Sequence, residues 1–336
     1  MEENTSIDIS AVNEKIAQES AFIDLLMLEM NKVIVGQKYM VERLLIGLLG
    51  NGHILLEGVP GLAKTLAINT LASIVDADFS RIQFTPDLLP ADLIGTMIYS
   101  QKKEEFLVKK GPIFTNFVLA DEINRSPAKV QSALLEAMQE RQVTIGGTTF
   151  RFDEPFLVLA TQNPIEHEGT YPLPEAQLDR FLLHVVLDYP SAEDELVILQ
   201  KDREQHYGED KETMSSPLHP ETVLTARREV AEIHVDEMLE KYIVALVGAT
   251  RHISDLNHDW DDFLIAGASP RASIALLRAA SATAYLRGRD HVIPEDVKAL
   301  YLPVCAHRLI LRPENEALDR KEILLSLLDE NPVPLV

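Results

Sequence analysis

The sequence predicts an α/β fold, a five-stranded parallel sheet wrapped by helices, followed by an all-helical second domain. Three observations predict it. The apolar run His53-Ile54-Leu55-Leu56 passes through a glycine-bearing loop, Gly58-Val59-Pro60-Gly61-Leu62-Ala63-Lys64-Thr65, into Leu66–Ala72, which reads as helix. Two more apolar runs, Asn116–Ala120 and Phe156–Ala160, do not alternate and end in polar residues, Asp121-Glu122 and Thr161-Gln162-Asn163. Unbroken apolar runs are the mark of strands buried on both faces, and ligands gather at the C-terminal ends of such strands. Beyond Pro190 the pattern changes to charged, amphipathic helices.

Composition limits the classes of function. The 336 residues, 46% hydrophobic and 25% charged, suit a globular chain of one large domain and one smaller one. The most apolar stretch, Leu44–Leu56, is interrupted by Gly47, Gly50, Asn51, Gly52 and His53, so no membrane span is expected. The start, Met1-Glu2-Glu3-Asn4-Thr5, lacks a basic segment followed by an apolar one and does not read as an export signal. A single cysteine, Cys305, suits a reducing, cytoplasmic setting and reads as a small buried hydrophobe. With 31 basic against 53 acidic residues the formal charge is −22, which favours protein partners over nucleic acid. Lys102, Lys103, Lys109 and Lys110 flank Glu104-Glu105 and read as a solvated hairpin.

Along the chain, Val12, Ile16, Ile23, Leu26, Met27 and Met30 recur at helical spacing over 11–32. The apolar turn Val33-Ile34-Val35-Gly36-Gln37 leads into a helix from Met40 to Leu49; this turn either packs on a nucleotide base or is simple core. After the glycine loop and its helix, Phe79–Thr85 alternates as a strand. An inserted segment follows, broken by Pro86, Pro90 and Gly95, with a hairpin of Met97–Tyr99 against Phe106–Val108. Ser126 reads as the N-cap, and Pro127 as the first residue, of a helix running to Glu140. Val143–Phe150 is a hairpin turning at Gly146-Gly147, and Leu182–Leu187 the fifth strand of the sheet. The domain expectation is a core over 1–190, a helical linker over 191–235 and a helical lid over 236–336, with helices near 238–251, 271–287, 294–307 and 320–328. The acidic loop around His167 reads as solvated, and Trp260 as a loop anchor without assigned function.

Strand, glycine loop, Lys-Thr and helix form the layout of a phosphate cradle, in which successive amides and a helix N-terminus favour an anion. Lys64 is then expected to reach the β- and γ-phosphates and the Thr65 hydroxyl to sit on magnesium. Ala63 stands where a glycine commonly precedes the lysine. Asp121 is expected to hold magnesium through water, and Glu122 to take a proton from the attacking water. Asn163 would bond the γ-phosphate or orient that water. Arg271, just after Ser269-Pro270, puts a cation in the first turn of a helix, where the dipole disfavours it; it is either held by a phosphate or a surface arginine.

These residues together resemble the MoxR family of AAA+ ATPases, from about Val33 to the C-terminus. The resemblance rests on 58–65, on Ala-Asp-Glu-Ile-Asn-Arg-Ser-Pro-Ala-Lys at 120–129, on Ala-Thr-Gln-Asn-Pro at 160–164 and on Pro-Glu-Ala-Gln-Leu-Asp-Arg-Phe at 174–181. It implies that Gly58, Pro60, Gly61, Leu62, Ala63, Lys64, Thr65 and Leu66 belong to Walker A, and Asp121 and Glu122 to Walker B. It further implies Asn163 as sensor 1, Arg180 as an arginine finger, Arg271 as sensor 2, and Val35 and Gly36 beside the adenine. Ala63 is usual in this family. The insert after Phe84 resembles the helix-2 insert, and Val143–Phe150 the pre-sensor-1 hairpin. The implied cofactors are ATP and Mg2+, the implied assembly a homo-oligomer, expected to be a hexamer, and the implied partners protein clients, among them von Willebrand factor A domain proteins. Two other readings are a nucleotide-gated scaffold that needs no turnover and, against the acidic balance, a DNA-linked motor.

Overall fold

The computed structural model describes residues 21–59, 61–164, 170–207, 218–253, 263–312, 314 and 319–333. Pro60, residues 11–20 of the expected first helix, the stretches around His167 and Met214 expected to be loops, and Trp260 lie outside the described residues. Two compact units divide the chain, one spanning Met27–Leu224 and the other taking Thr225 onward together with the residues before Met27. The division falls inside the stretch expected to be a linker.

The first unit is built on a five-stranded sheet. Helices α1 (Ala21–Val33) and α2 (Lys38–Leu49) precede β1 (Ile54–Glu57); α3 (Lys64–Ile74) follows the glycine loop and leads to β2 (Phe79–Gln83). An insert of α4 (Pro90–Ile94) and the hairpin β3 (Gly95–Ser100) and β4 (Glu105–Lys110) comes before β5 (Phe117–Asp121) and α5 (Ala128–Glu140). A second hairpin, β6 (Gln142–Ile145) and β7 (Thr148–Arg151), precedes β8 (Leu157–Gln162), α6 (Glu175–Leu178), β9 (Leu183–Val186) and α7 (Ala192–Tyr207).

The sheet order is β2-β5-β8-β1-β9, with every pair parallel. Ile54 to Leu56, Phe117 to Ala120 and Leu157 to Ala160 are buried throughout, which explains their lack of alternation. Pairing sets Gln83 opposite Asp121, Ala120 opposite Ala160, and Glu57 opposite Gln162, so the polar strand ends share one edge. Phe84, Phe156 and Phe181 pack with Leu134, Leu135 and Ile113 in one cluster of this unit, and burying each such side chain contributes about 1.5–3 kcal/mol. His53 sits in the same interior as a satisfied bridge. Its Nδ1 accepts from the Val158 N–H at 3.0 Å, which leaves Nε2–H to donate to the Met138 carbonyl at 3.1 Å.

Three expectations change. Ser126 is not the N-cap of α5: the helix starts at Ala128 behind Pro127, and the Ser126 hydroxyl donates instead to the Ile123 carbonyl at 3.3 Å. This one-residue shift follows the tight 3₁₀ turn Ile123–Arg125, whose end at Ser126 draws that residue back toward the strand. Lys110 is not merely solvated; its ammonium lies 4.7 Å over the Phe114 ring. The β3–β4 pairing itself is as read, with Met97 opposite Val108 and Tyr99 opposite Phe106.

The third concerns the second unit, which is helical but not wholly so. It holds α8 (Pro220–Glu232), α9 (Glu237–Ala249), α10 (Pro270–Leu286), α11 (Pro294–Cys305) and α12 (Arg320–Glu330). A short antiparallel ribbon, β10 (Leu264–Ala266) against β11 (Ile310–Leu311), interrupts the helices. Two- and three-residue strands are too short for an alternating pattern to declare them. Asp236, Ser269 and Asp319 cap their helices through side-chain oxygens, and the fully buried Asp296 is held by Arg287, Arg289 and the Ile293 N–H. Among the described residues no helix is long and apolar enough to cross a membrane.

Cys305 is fully buried, and burial pushes its thiol up from 9.0 to about 12. It should therefore resist a thiol reagent in the native protein and react once the chain is unfolded in urea. A group whose pKa is raised by folding stabilises fully below its unfolded value and loses that contribution as pH rises toward its folded one. Urea midpoints measured on either side of pH 9.0 should thus fall on the alkaline side, and a thiol that reacts fully in the native state would count against this burial.

Candidate functional site

The loop between β1 and α3 is shaped by backbone conformation before any side chain acts. Gly61 has φ +90°, and Ala63, at φ 56° and ψ 20°, occupies the left-handed region despite its Cβ. That conformation costs a non-glycine residue roughly 1–2 kcal/mol. No side chain caps α3 at its N-terminus, so its first amides are available to an anion. Lys64 folds back to donate to the Gly58 carbonyl at 2.5 Å. Burial pulls its pKa down, opposed by the nearby carboxylates Asp121, Glu122 and Glu57.

Asp121 ends β5, and Glu122 turns away from it at φ 55° and ψ 52°, a second left-handed non-glycine residue. Thr161 on β8 holds both in place. Its hydroxyl donates to Asp121 Oδ1 at 2.7 Å and accepts the Glu122 N–H at 2.8 Å. Asp121 Oδ2 and Glu122 Oε2 are engaged from β2 and from the turn after β5. Arg81 donates to Asp121 Oδ2 from Nη2 at 2.6 Å and from Nε at 3.1 Å. Gln83 donates to Glu122 Oε2 at 2.7 Å, and Arg125 Nε lies 3.1 Å from the same oxygen.

A cavity of about 410 Å³ opens over this edge of the sheet. Of the residues singled out in the sequence, Gly58, Gly61, Leu62, Ala63, Lys64, Thr65, Leu66, Asp121, Glu122 and Asn163 line it. Arg81, Gln83, Thr161 and Gln162 line it as well, and sequence reasoning assigned them no role. For β2 a signal existed: Arg81 and Gln83 are two apart and so share a face of their strand. Which strand end that face meets required the register.

Val35, Gly36 and Arg180 belong to the same unit but are not among the residues lining the cavity. Gly36, at φ +72°, leaves no room for a Cβ, which would lie 2.7 Å from the Asp194 side chain. Arg180 follows α6, and its Nε is buried without a hydrogen-bond partner. Arg271 is exposed on the other unit, where its N–H is capped by Ser269 at 3.2 Å. The fit of a magnesium ion can be judged from donor chemistry. Thr65 and Asp121 offer hard oxygens at one cavity, and among the described residues no three His, Cys, Asp or Glu side chains gather as a metal cage. Mg2+ accepts that arrangement, since it takes one or two protein oxygens and completes its shell from phosphates and water.

Comparisons with known proteins agree with this architecture. Residues 53–183 match the family described as ATPases associated with various cellular activities (AAA), and residues 262–326 match the AAA lid domain. The chain is 51% identical over 299 residues to Chaperone MoxR1 of Mycobacterium tuberculosis, covering 89% of this chain and 78% of that protein. It is 45% identical to the uncharacterized protein YeaC of Bacillus subtilis, covering 91% of this chain and 92% of the other. A crystal structure of a candidate ATPase from Cytophaga hutchinsonii, 51% identical, superimposes with a TM-score of 0.90 over 98% of this chain and 99% of its own.

Thr161 gives the geometry a direct test. Thr161→Val keeps the shape but removes the hydroxyl from both Asp121 and the Glu122 N–H. Leaving these groups without their partner should cost about 1–3 kcal/mol of stability in urea titrations. An unchanged midpoint would mean that the hydroxyl does not hold this edge together.

Proposed function

This chain belongs to the MoxR family of AAA+ ATPases, and on that premise we propose that it hydrolyses ATP as a homo-oligomeric ring, a hexamer, that remodels or activates protein partners. The observation that carries the proposal is the gathering of Lys64, Asp121, Glu122 and Asn163 on one cavity above an uncapped helix N-terminus. The name Chaperone MoxR1, borne by a relative 51% identical, supports protein clients. In this reading the ring acts in the cytoplasm, and proteins with von Willebrand factor A domains are among those clients.

The chain's own residues divide the work. The amides of 61–65 and the start of α3 hold the triphosphate, with Gly58, Leu62 and Ala63 shaping the loop and Leu66 in the first turn of the helix. Lys64 leaves the Gly58 carbonyl for the β- and γ-phosphate oxygens, and Val35 and Gly36 lie along the adenine. Thr65 and Asp121 would hold Mg2+, which when bound neutralises charge on the phosphates. Glu122 accepts the proton of the attacking water, within a general-base contribution of about 10²–10⁴ in rate. Asn163 orients that water or the γ-phosphate.

Arg180, with a buried Nε that lacks an internal partner, acts on the ATP of the neighbouring subunit, an effect of about 10³–10⁵ in related phosphoryl transfer. Arg271 serves as sensor 2, on the lid read over 236–336, with 191–235 as linker and 1–190 as core.

Two variants separate these roles. Glu122→Gln should bind ATP with near wild-type affinity while turnover falls by at least about 100-fold, and the assembled ring should accumulate in light scattering. If Glu122→Gln turns over ATP at the wild-type rate, Glu122 is not the base. Arg180→Ala should keep nucleotide binding and lose turnover by about 10³ or more. Equal loss of binding and turnover would remove Arg180 from the trans role, and wild-type specific activity that stays flat on dilution would argue against the ring.

A further inference from the structure

Helix α5 opens with Ala128-Lys129-Val130-Gln131, and Gln131 is fully buried. A helical side chain lies back over the turn N-terminal to it, which directs this amide toward the turn after Glu122. Its Nε2 donates to the carbonyls of Ile123 at 3.2 Å and Ser126 at 3.1 Å, and to that of Tyr171, forty residues on, at 2.9 Å. Three carbonyl oxygens around one nitrogen fix the orientation of the amide, because the reverse would set oxygen against oxygen. Tyr171 closes the link by donating its N–H to the Asn124 carbonyl at 2.6 Å. The next residue of α5, Ser132, accepts from Gln177 Nε2 at 3.2 Å, close in sequence to Arg180. One end of α5 therefore grips both the turn that follows Glu122 and the segment that leads to Arg180. The grip is kept at a cost. Among the described residues, Asn124 Oδ1, Gln131 Oε1, Gln177 Oε1 and Arg180 Nε are buried without a hydrogen-bond partner. An apolar residue at position 131 would leave no such unpaired acceptor in the interior.

We propose that Gln131 is a positioning residue that couples the two halves of a site shared between subunits. It fixes the 171–180 segment against the turn after Glu122, and so sets where Arg180 is presented to the ATP of the neighbouring subunit. This role deepens the ring reading and rests on it. The two ends of the tie are unequal. Without Gln131, Glu122 keeps Thr161, Gln83 and Arg125, and the Ile123 carbonyl keeps the Ser126 hydroxyl at 3.3 Å. The Tyr171 carbonyl loses a donor that reaches it from another element. Loss of the amide therefore loosens the Arg180 segment more than the Glu122 turn. The defect falls on the neighbour's ATP, while the variant subunit's own nucleotide site stays whole. A residue that only stabilised the fold would carry its defect in its own subunit.

The test is ATP turnover by the full chain, alone and in mixed assemblies, with binding of methylanthraniloyl-ATP measured alongside. Gln131→Met keeps the length of the side chain and removes the amide. It should bind the nucleotide as the wild type does and lose about 5–10-fold in kcat, the equivalent of one buried hydrogen bond. Excess Glu122→Gln subunits supply an intact 171–180 segment but turn over little themselves. Adding them should restore turnover per Gln131→Met subunit, and Arg180→Ala mixed in the same way should be restored too. Rescue of Arg180→Ala without rescue of Gln131→Met overturns the tie and leaves the ring reading standing, as does wild-type kcat in Gln131→Met alone. Rescue of neither overturns both. If Gln131→Met does not fold, Gln131→Glu takes its place, since burial keeps its carboxyl neutral with a single O–H to donate, and the same outcomes decide.

Discussion

The parallel register of β5 between β2 and β8 is the constraint on which the site depends. Three central strands, β1, β5 and β8, are buried on both faces, so their interiors exclude polar side chains and their ends collect them. Because the pairs are parallel, those ends fall on the same edge: Gln83 beside Asp121, and Ala120 beside Ala160, so that Asp121 and Thr161 follow together. The parallel register of β1, with Glu57 opposite Gln162, brings the glycine loop that follows it to the same edge. A one-residue slip would turn Arg81 and Gln83 to the other face of β2 and leave both carboxylates without them.

On this edge, charge is balanced locally. Asp121 and Glu122 meet Arg81, Gln83 and the Lys64 ammonium within one cavity, and Arg125 reaches Glu122 from the turn after β5. In a chain of formal charge −22 such a balance is not a general property of the surface. Lys64 shows both sides of it, since burial disfavours its charge and three carboxylates oppose that effect without cancelling it.

Two of the six described non-glycine residues with positive φ lie at the same place. Ala63 and Glu122 both adopt left-handed conformations that cost a non-glycine residue roughly 1–2 kcal/mol. Each lies at a turn where the chain leaves a buried strand, and each has a compensating constraint: α3 begins immediately after Ala63, and Thr161 accepts the Glu122 N–H. Strain of this sort persists where the surroundings over-determine it, and functional sites are where it collects.

The sequence by itself determined the order of elements and the chemistry of the strand ends. Burial on both faces writes itself as unbroken apolar runs, and Gly61, Lys64, Thr65, Asp121, Glu122 and Asn163 stand where those runs stop. Local signals also told of the insert hairpin, paired with Tyr99 opposite Phe106, and of the Ser269 cap. What only the tertiary structure decided was lateral: which strand lies next to which, and hence that Arg81 and Gln83 meet Asp121 and Glu122 across some forty residues of chain. The ribbon of β10 and β11 was hidden for a related reason, because two or three residues carry no period and pairing alone makes them strands. Periodicity records which face of an element is buried, whereas the neighbour on that face is set by packing that no single stretch of sequence encodes.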